Sequence, residues 1–211
     1  MYVGQFATHR AITGKSNSMK CNVAIAVLLI AVAFVRDVRA QSVTITDSPR
    51  PFSATAPAGW SRQPPATGNS RLKYVSPNGT PYAECAVIVK TIPAMRGHPQ
   101  SEMDAAMLQA PDPSSIAQGL AGSYNNVRVI SAGNAGLSGV PAQTYNVQYS
   151  VGSPAGEQWI RGVTTTALTV PDVSWTVACA GQGRTLAEAQ KAFDYWQLEF
   201  VKFATYIKFV R

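Results

Sequence analysis

Charge and histidine are both scarce in this 211-residue chain. Asp, Glu, Lys and Arg make up 14% of it, and histidine occurs twice. Only one histidine, His98, lies beyond the first forty residues, so a multi-histidine zinc site cannot be built there. No Gly-x-Ser-x-Gly elbow occurs, which removes the strand–turn–helix nucleophile of the α/β-hydrolases. Ser70-Arg71-Leu72-Lys73 matches Ser-x-x-Lys by letters, but it alternates like a strand and its companion β-lactamase motifs are missing. The uninterrupted apolar run at positions 23–35 is shorter than the about 20 residues a membrane-spanning helix needs. Basic residues nowhere cluster with interleaved aromatics, so the formal charge of +7 does not describe a nucleic-acid face. What the chain does have is 46% hydrophobic residues, enough to exclude disorder and to fill a core.

The first forty residues read as a leader. Lys20 precedes the run VAIAVLLIAVAFV at 23–35, and Val38-Arg39-Ala40 places small residues at −3 and −1 before Gln41. A positive region, a short apolar region and a small-residue exit are the three parts of a secretory signal peptide, with cleavage expected between Ala40 and Gln41. Cys21 precedes the apolar run, so no lipobox is formed. The polar stretch 1–18 lies upstream of a second methionine, Met19, where translation is expected to begin. The mature domain is then 41–211, with 13 Lys+Arg, 10 Asp+Glu and a net charge of +3. An exported protein with an unidentified envelope or extracellular partner is expected, with no nucleic acid bound and no membrane span in the mature chain.

Two cysteines remain in that domain, Cys85 and Cys179. Each sits in an alternating segment on the apolar side: Ala83, Cys85, Val87 and Val89 in one, Val173, Trp175, Val177 and Cys179 in the other. Strand side chains alternate faces, so both thiols point to the core, where an oxidising compartment is expected to join them as one disulfide; the alternative is two buried free thiols too far apart to bond.

The order of elements follows from periodicity and turn residues. Short strands are expected at 42–46, 60–63 and 71–75, with the Pro/Ala/Ser-rich stretch 49–59 irregular and anchored by Phe52. Asn78-Gly79 turns the chain into a strand at 82–92. A helix beginning at Ser101-Glu102-Met103-Asp104, stopped by Pro111 and Pro113, and a second at 114–120 make a helical middle. Four strands follow at 127–133, 142–151, 158–169 and 173–179, joined by connections too short for anything but antiparallel neighbours. Thr185-Leu186-Ala187-Glu188 is a capping box opening an amphipathic helix over 185–209, whose stripe Leu186, Ala189, Phe193, Trp196, Phe200, Phe203 and Ile207 is laid on the sheet. The class is α+β: an antiparallel β-sheet covered by helices in an α-β-α sandwich.

With this order, Pro57-Ala58-Gly59-Trp60, Ser76-Pro77-Asn78-Gly79 before a hydrophobic strand, Gly139-Val140-Pro141-Ala142 entering another, and the final helix together resemble the PsbP-like family across roughly residues 52–209. The family includes an extrinsic photosystem II subunit, a small Ran-binding import factor and many exported bacterial proteins. The resemblance implies the same α-β-α sandwich and binding more than catalysis. It carries over no metal site and no cofactor, since the metal-binding histidines proposed in the photosystem member have no counterpart set here. Trp60, Tyr82, Trp159 and Arg161, around the exposed sheet face and its loops, are the candidate binding residues. Two alternatives stand beside a non-catalytic binding module: a small-ligand carrier with an apolar pocket between sheet and helix, and a hydrolase-type enzyme using His98 with Glu84, Glu102 or Asp104.

Overall fold

A computed structural model describes residues 41–64, 68–154 and 156–210. The leader, its cleavage point and Met19 lie outside these residues. The chain forms β1 (Ser42–Ile45), β2 (Phe52–Thr55), β3 (Ser61–Gln63), β4 (Ser70–Val75) and β5 (Ala83–Thr91). Helices α1 (Gln100–Leu108) and α2 (Pro113–Ala121) come next. Then follow β6 (Asn125–Leu137), β7 (Val140–Ser153), β8 (Gly156–Thr169), β9 (Val173–Gly183), helix α3 (Leu186–Thr205) and β10 (Lys208–Phe209).

The main sheet has seven antiparallel strands in the order β3-β4-β5-β9-β8-β7-β6. Its hairpins are tight because the turn chemistry is present. Between β6 and β7, Ser138 and Gly139 both take positive φ (52° and 84°), the geometry that joins two twisted strands with two residues. The 136–141 stretch is therefore mostly strand and not the longer connection expected from its glycines. Cys85 pairs directly with Cys179 across β5 and β9, and the two, 94 positions apart in the sequence, are joined as a disulfide. Both are buried in the core as the alternation required.

Helix α3 covers one face of this sheet. Thr185 Oγ1 accepts the Glu188 N–H, and the Glu188 carboxylate accepts the Arg184 N–H at 2.7 Å, so the start of the helix is satisfied from both sides. Ala189, Ala192, Phe193, Trp196, Phe200 and Phe203 are buried against Leu72, Tyr74, Val87, Val177 and their neighbours. Each aromatic side chain buried this way contributes about 2 kcal/mol or more, which is why the helix needs no further fastening. Its N-terminal half sits unusually close to β9. A Cβ on Gly181 would run into the Phe193 N and lie 2.7 Å from the Ala189 carbonyl, and one on Gly183 would lie 2.8 Å from the Ala189 N.

The helix ends at Thr205, earlier than the stripe suggests. Ile207 is buried beyond the helix, and 208–209 form a strand that pairs with β2, which in turn pairs with β1. Two interactions make the strand the better conformation for Phe209: its ring stacks on Trp175 at 4.3 Å, and its N–H donates to Ser138 Oγ at 2.7 Å. The Pro/Ala/Ser-rich stretch thus contains a real strand, with Phe52 fully buried edge-on to Trp175.

The second face is covered only in part. Helix α1 lies over the ends of β7 and β8. Buried Met103 secures it, as do Gln100, which bonds the Leu168 carbonyl and the Val170 N–H, and Gln143, which donates to the Gln109 carbonyl. It begins at Gln100 after Pro99 and has no side-chain cap, so Ser101 does not play the expected capping part. Helix α2 lies along β6 and is capped by Asp112, whose carboxylate accepts the Ser114 and Ser115 N–H groups. Those bonds hold the Asp112 carboxyl well below the usual carboxylate range.

Candidate functional site: an open trough and a covered cleft

Strand alternation sorts the sheet residues into two faces. On the face opposite α3, β5 presents Glu84, Ala86 and Ile88; β9 presents Thr176, Ala178 and Ala180; β8 presents Ile160, Gly162 and Thr164; β7 presents Tyr145, Val147 and Tyr149. Small side chains on β9 and β8 form the floor of a trough of about 270 Å³. Ile88 bounds it on one side, and Leu120, Tyr124, Tyr145 and Tyr149 on the other. Tyr124 stacks on Tyr149 with ring centroids 4.3 Å apart. Burial, with the neighbouring charges of Tyr124, Glu84 and Tyr145 adding to it, pushes the Tyr149 phenol up to about 12. Burial raises Tyr145 as well, opposed by hydrogen bonds from Thr164 and Thr166. Both phenols are therefore neutral at physiological pH, and no residue lining the trough carries a formal charge. At its rim Lys73 and Glu84 pair at 2.7 Å and neutralise one another.

On the α3 face the last turns of the helix pack on Tyr74 of β4 through Phe203 but leave a gap toward β6, β7 and β8. A cavity of about 210 Å³ lies between Phe200, Val201, Ala204 and Thr205 of α3 and Ala135, Gly136, Thr144, Val163, Thr165, Val177 and Cys179 of the sheet. The core on this side is thus not completely filled.

The four candidate binding residues do not meet at one site. Trp60 is a core residue, 8% exposed and edge-on to Trp196 and Phe200, not part of a binding loop. The cause is Pro57-Ala58-Gly59, whose turn aims the indole inward under α3. Arg161 is also buried, 7% exposed, with its guanidinium 4.3 Å from the Phe193 ring. It donates to Gln190 Oε1 and to the carbonyls of Val147 and Gly162, and burial lowers its pKa. Trp159 is half-buried on the same face, opposite Ser150 and Gly183. Tyr82 alone is exposed, just before β5, where its hydroxyl donates to Glu84 at 3.3 Å.

His98 is exposed, and its Nδ1 lies 2.7 Å from a Glu102 carboxylate oxygen. Met95, Met103, Ala106 and Leu168 complete a hollow beside the pair, which therefore contains no hydroxyl or thiol nucleophile. Glu84 belongs to the Lys73 pair, and Asp104 accepts from Gln100, so neither carboxylate joins His98. Among the described residues, His, Cys, Asp and Glu side chains do not gather in threes, and no metal site is assigned. No described helix is long and apolar enough to cross a membrane.

The trough residues were open to view in the sequence as the second alternating set of each strand. Tyr145, Val147 and Tyr149 share a face of β7, as Ala86 and Ile88 share one of β5, so the sheet face opposite α3 carries an apolar patch of its own.

No family model matches the chain, and no curated protein matches its sequence. Solved structures match its fold. The solution structure of cyanobacterial PsbP (CyanoP) from Synechocystis sp. PCC 6803 aligns with a TM-score of 0.52 at 12% identity, over 86% of this chain and 99% of that one. LpqN, involved in cell envelope biogenesis of Mycobacterium tuberculosis, aligns with a TM-score of 0.48 at 13% identity, over 84% and 95% of the two chains. The fold is α+β and PsbP-like.

Proposed function

We propose that the protein is an exported, non-catalytic binding module that seats an envelope or extracellular protein on the open face of its sheet. The trough carries this reading. Its floor of Gly162, Ala178 and Ala180 leaves room above β8 and β9, and its wall of Tyr124, Tyr145 and Tyr149 offers aromatic surface. Tyrosines of this kind supply contact area at little entropic cost and anchor protein interfaces. With no charge in the lining, the matching partner segment is apolar and bears aromatic or aliphatic anchors. Export is supported by the leader at 1–40 and by the Cys85–Cys179 disulfide, a bond that persists in oxidising compartments. The non-catalytic part of the reading is supported by the hollow at His98, which offers a base and a carboxylate without a nucleophile to activate.

The test is capture from envelope extract with the protein recovered from the periplasm of a host expressing the full chain. Ala178→Arg, which sets a charge on the trough floor, serves as the discriminating variant, and Cys85→Ser controls for misfolding. One protein recovered by the wild type and lost with Ala178→Arg, at unchanged circular dichroism, is the expected result. Recovery that is indifferent to Ala178→Arg, or absence of the chain from the periplasm, overturns the reading.

A further inference from the structure

We infer that the cleft between α3 and the sheet is a second site, on the opposite face from the trough, for a small neutral apolar molecule. Its depth is graded. Thr165, Val177, Cys179 and Phe200 are buried at the bottom, whereas Gly136, Val201 and Thr205 are exposed at the mouth, Val201 by 60%. The site is therefore reachable from solvent without unfolding α3. At about 210 Å³ it exceeds the roughly 150 Å³ of a dry apolar cavity that takes up benzene, and falls short of the roughly 300 Å³ at which drug-sized pockets begin. A single ring with a short substituent, or an aliphatic chain of similar bulk, matches that volume.

The hydroxyl accounting decides the polarity of the occupant. Three threonines are the only polar side chains in the lining, and each spends its proton inside the protein. Thr144 donates to the Thr164 carbonyl, Thr165 to Thr144 Oγ1, and Thr205 to the Val201 carbonyl. No side-chain donor and no cation lines the cavity, so a carboxylate or phosphate entering it would be desolvated without compensation. Water gains little from these side chains for a related reason, since it needs two to four polar partners and they offer only hydroxyl oxygens acting as acceptors. A hydrocarbon, or an alcohol donating one hydrogen bond to Thr165 or Thr205, fits what is offered.

The experiment is methyl NMR of the oxidised protein titrated with toluene, 1-hexanol and hexanoate. Saturable shifts at Ala135, Val163, Val177, Val201 and Ala204 with toluene and hexanol, and at least tenfold weaker ones with hexanoate, are expected. Ala204→Met fills the cleft from the helix and should abolish saturation. Val201→Phe closes the mouth from an exposed position that cannot overpack the core, and should weaken binding at least fivefold even if Ala204→Met fails to fold. Hexanoate binding as well as hexanol overturns the inference, as do shifts centred on Ala178 and Val147, or saturation unchanged in Val201→Phe. Partner capture by the Val201→Phe protein reads the trough separately, so the two sites can fail independently.

Discussion

Reduction of Cys85–Cys179 should cost this fold more than any single surface change, and almost all of the cost should come from the unfolded chain. The two residues face one another in a nine-pair ladder between β5 and β9 running from Ala83↔Gly181 to Thr91↔Val173. That ladder and the core around it hold the strands together whether or not the sulfurs are bonded. The unfolded chain differs: there the bond closes a loop of 94 residues, containing α1, α2 and β6 to β8. Loop-closure entropy for that length corresponds to about 4–5 kcal/mol at 25 °C. For a domain of this size, that is a fall of roughly 10–15 °C in the thermal midpoint, or about 2 M urea. Equilibrium urea unfolding with and without reductant measures it, and the reduced protein should show a larger m-value because its unfolded state is more expanded. A Cys85→Ala/Cys179→Ala variant should lose slightly more, since it also removes two buried sulfurs, one of them lining the α3 cleft. A reduced protein whose urea midpoint moves by less than about 0.5 M would refute the reasoning, because the loop would then not be free in the unfolded state.

Two further predictions concern the packing of α3 and the buried phenols. Gly181→Ala should destabilise by about 3 kcal/mol or more, because its Cβ meets helix backbone and not a movable side-chain tip; Gly133→Ala, with open space at its Cβ, should stay within about 0.5 kcal/mol. Equal urea midpoints for the two variants would show that α3 can shift away from β9 freely. Tyr149, with a folded pKa raised to about 12, contributes stability that is complete below pH 10 and is lost as pH rises from 10 to 12, because the unfolded chain releases the proton first. The wild type should therefore lose up to about 2–3 kcal/mol more than Tyr149→Phe across that window, read from urea midpoints alongside tyrosinate absorbance; identical slopes would remove the phenol from the account.

Which parts of the structure were legible follows from how local their causes are. The disulfide was visible because alternation around Cys85 and Cys179 places both thiols on apolar faces, and a strand face is a property of a few neighbouring residues. The start of α3 was visible because Thr185 and Glu188 act within one turn. Its end was not, since the stripe continues to Ile207 while contacts with Trp175 and Ser138, distant in sequence, draw Phe209 into β10. Strand β2 was hidden for the same reason: Phe52–Thr55 is extended because β1 and β10 pair with it, and its own composition suggests a loop. Trp60 and Arg161 were misplaced by the assumption that an aromatic or cationic residue near a loop faces solvent. Arg161 shows why this fails, since carbonyl and amide oxygens together with an aromatic face can satisfy a buried guanidinium without a carboxylate.

The two faces of the sheet differ in how they hold space, and that difference separates what each can bind. On the α3 side, Gly181 and Gly183 let the helix approach β9 at its N-terminal end, while the helix diverges from β7 and β6 towards its C-terminal end. The resulting wedge is narrow, walled by a rigid helix and closed below by the disulfide, so it suits a small molecule of fixed bulk. On the other side, α1 covers the ends of β7 and β8 and α2 lies along β6, and the small residues of β8 and β9 left beside them floor a trough bounded by tyrosines. A protein segment laid across it would bury Tyr124, Tyr149 and Ile88 together. Occupancy of the cleft is expected to reach the trough only through β7, β8 and β9, whose alternate residues line both. Val163 and Cys179 on one side stand next to Gly162 and Ala180 on the other, and rigid strands of this kind transmit small displacements poorly, so the two sites should act nearly independently.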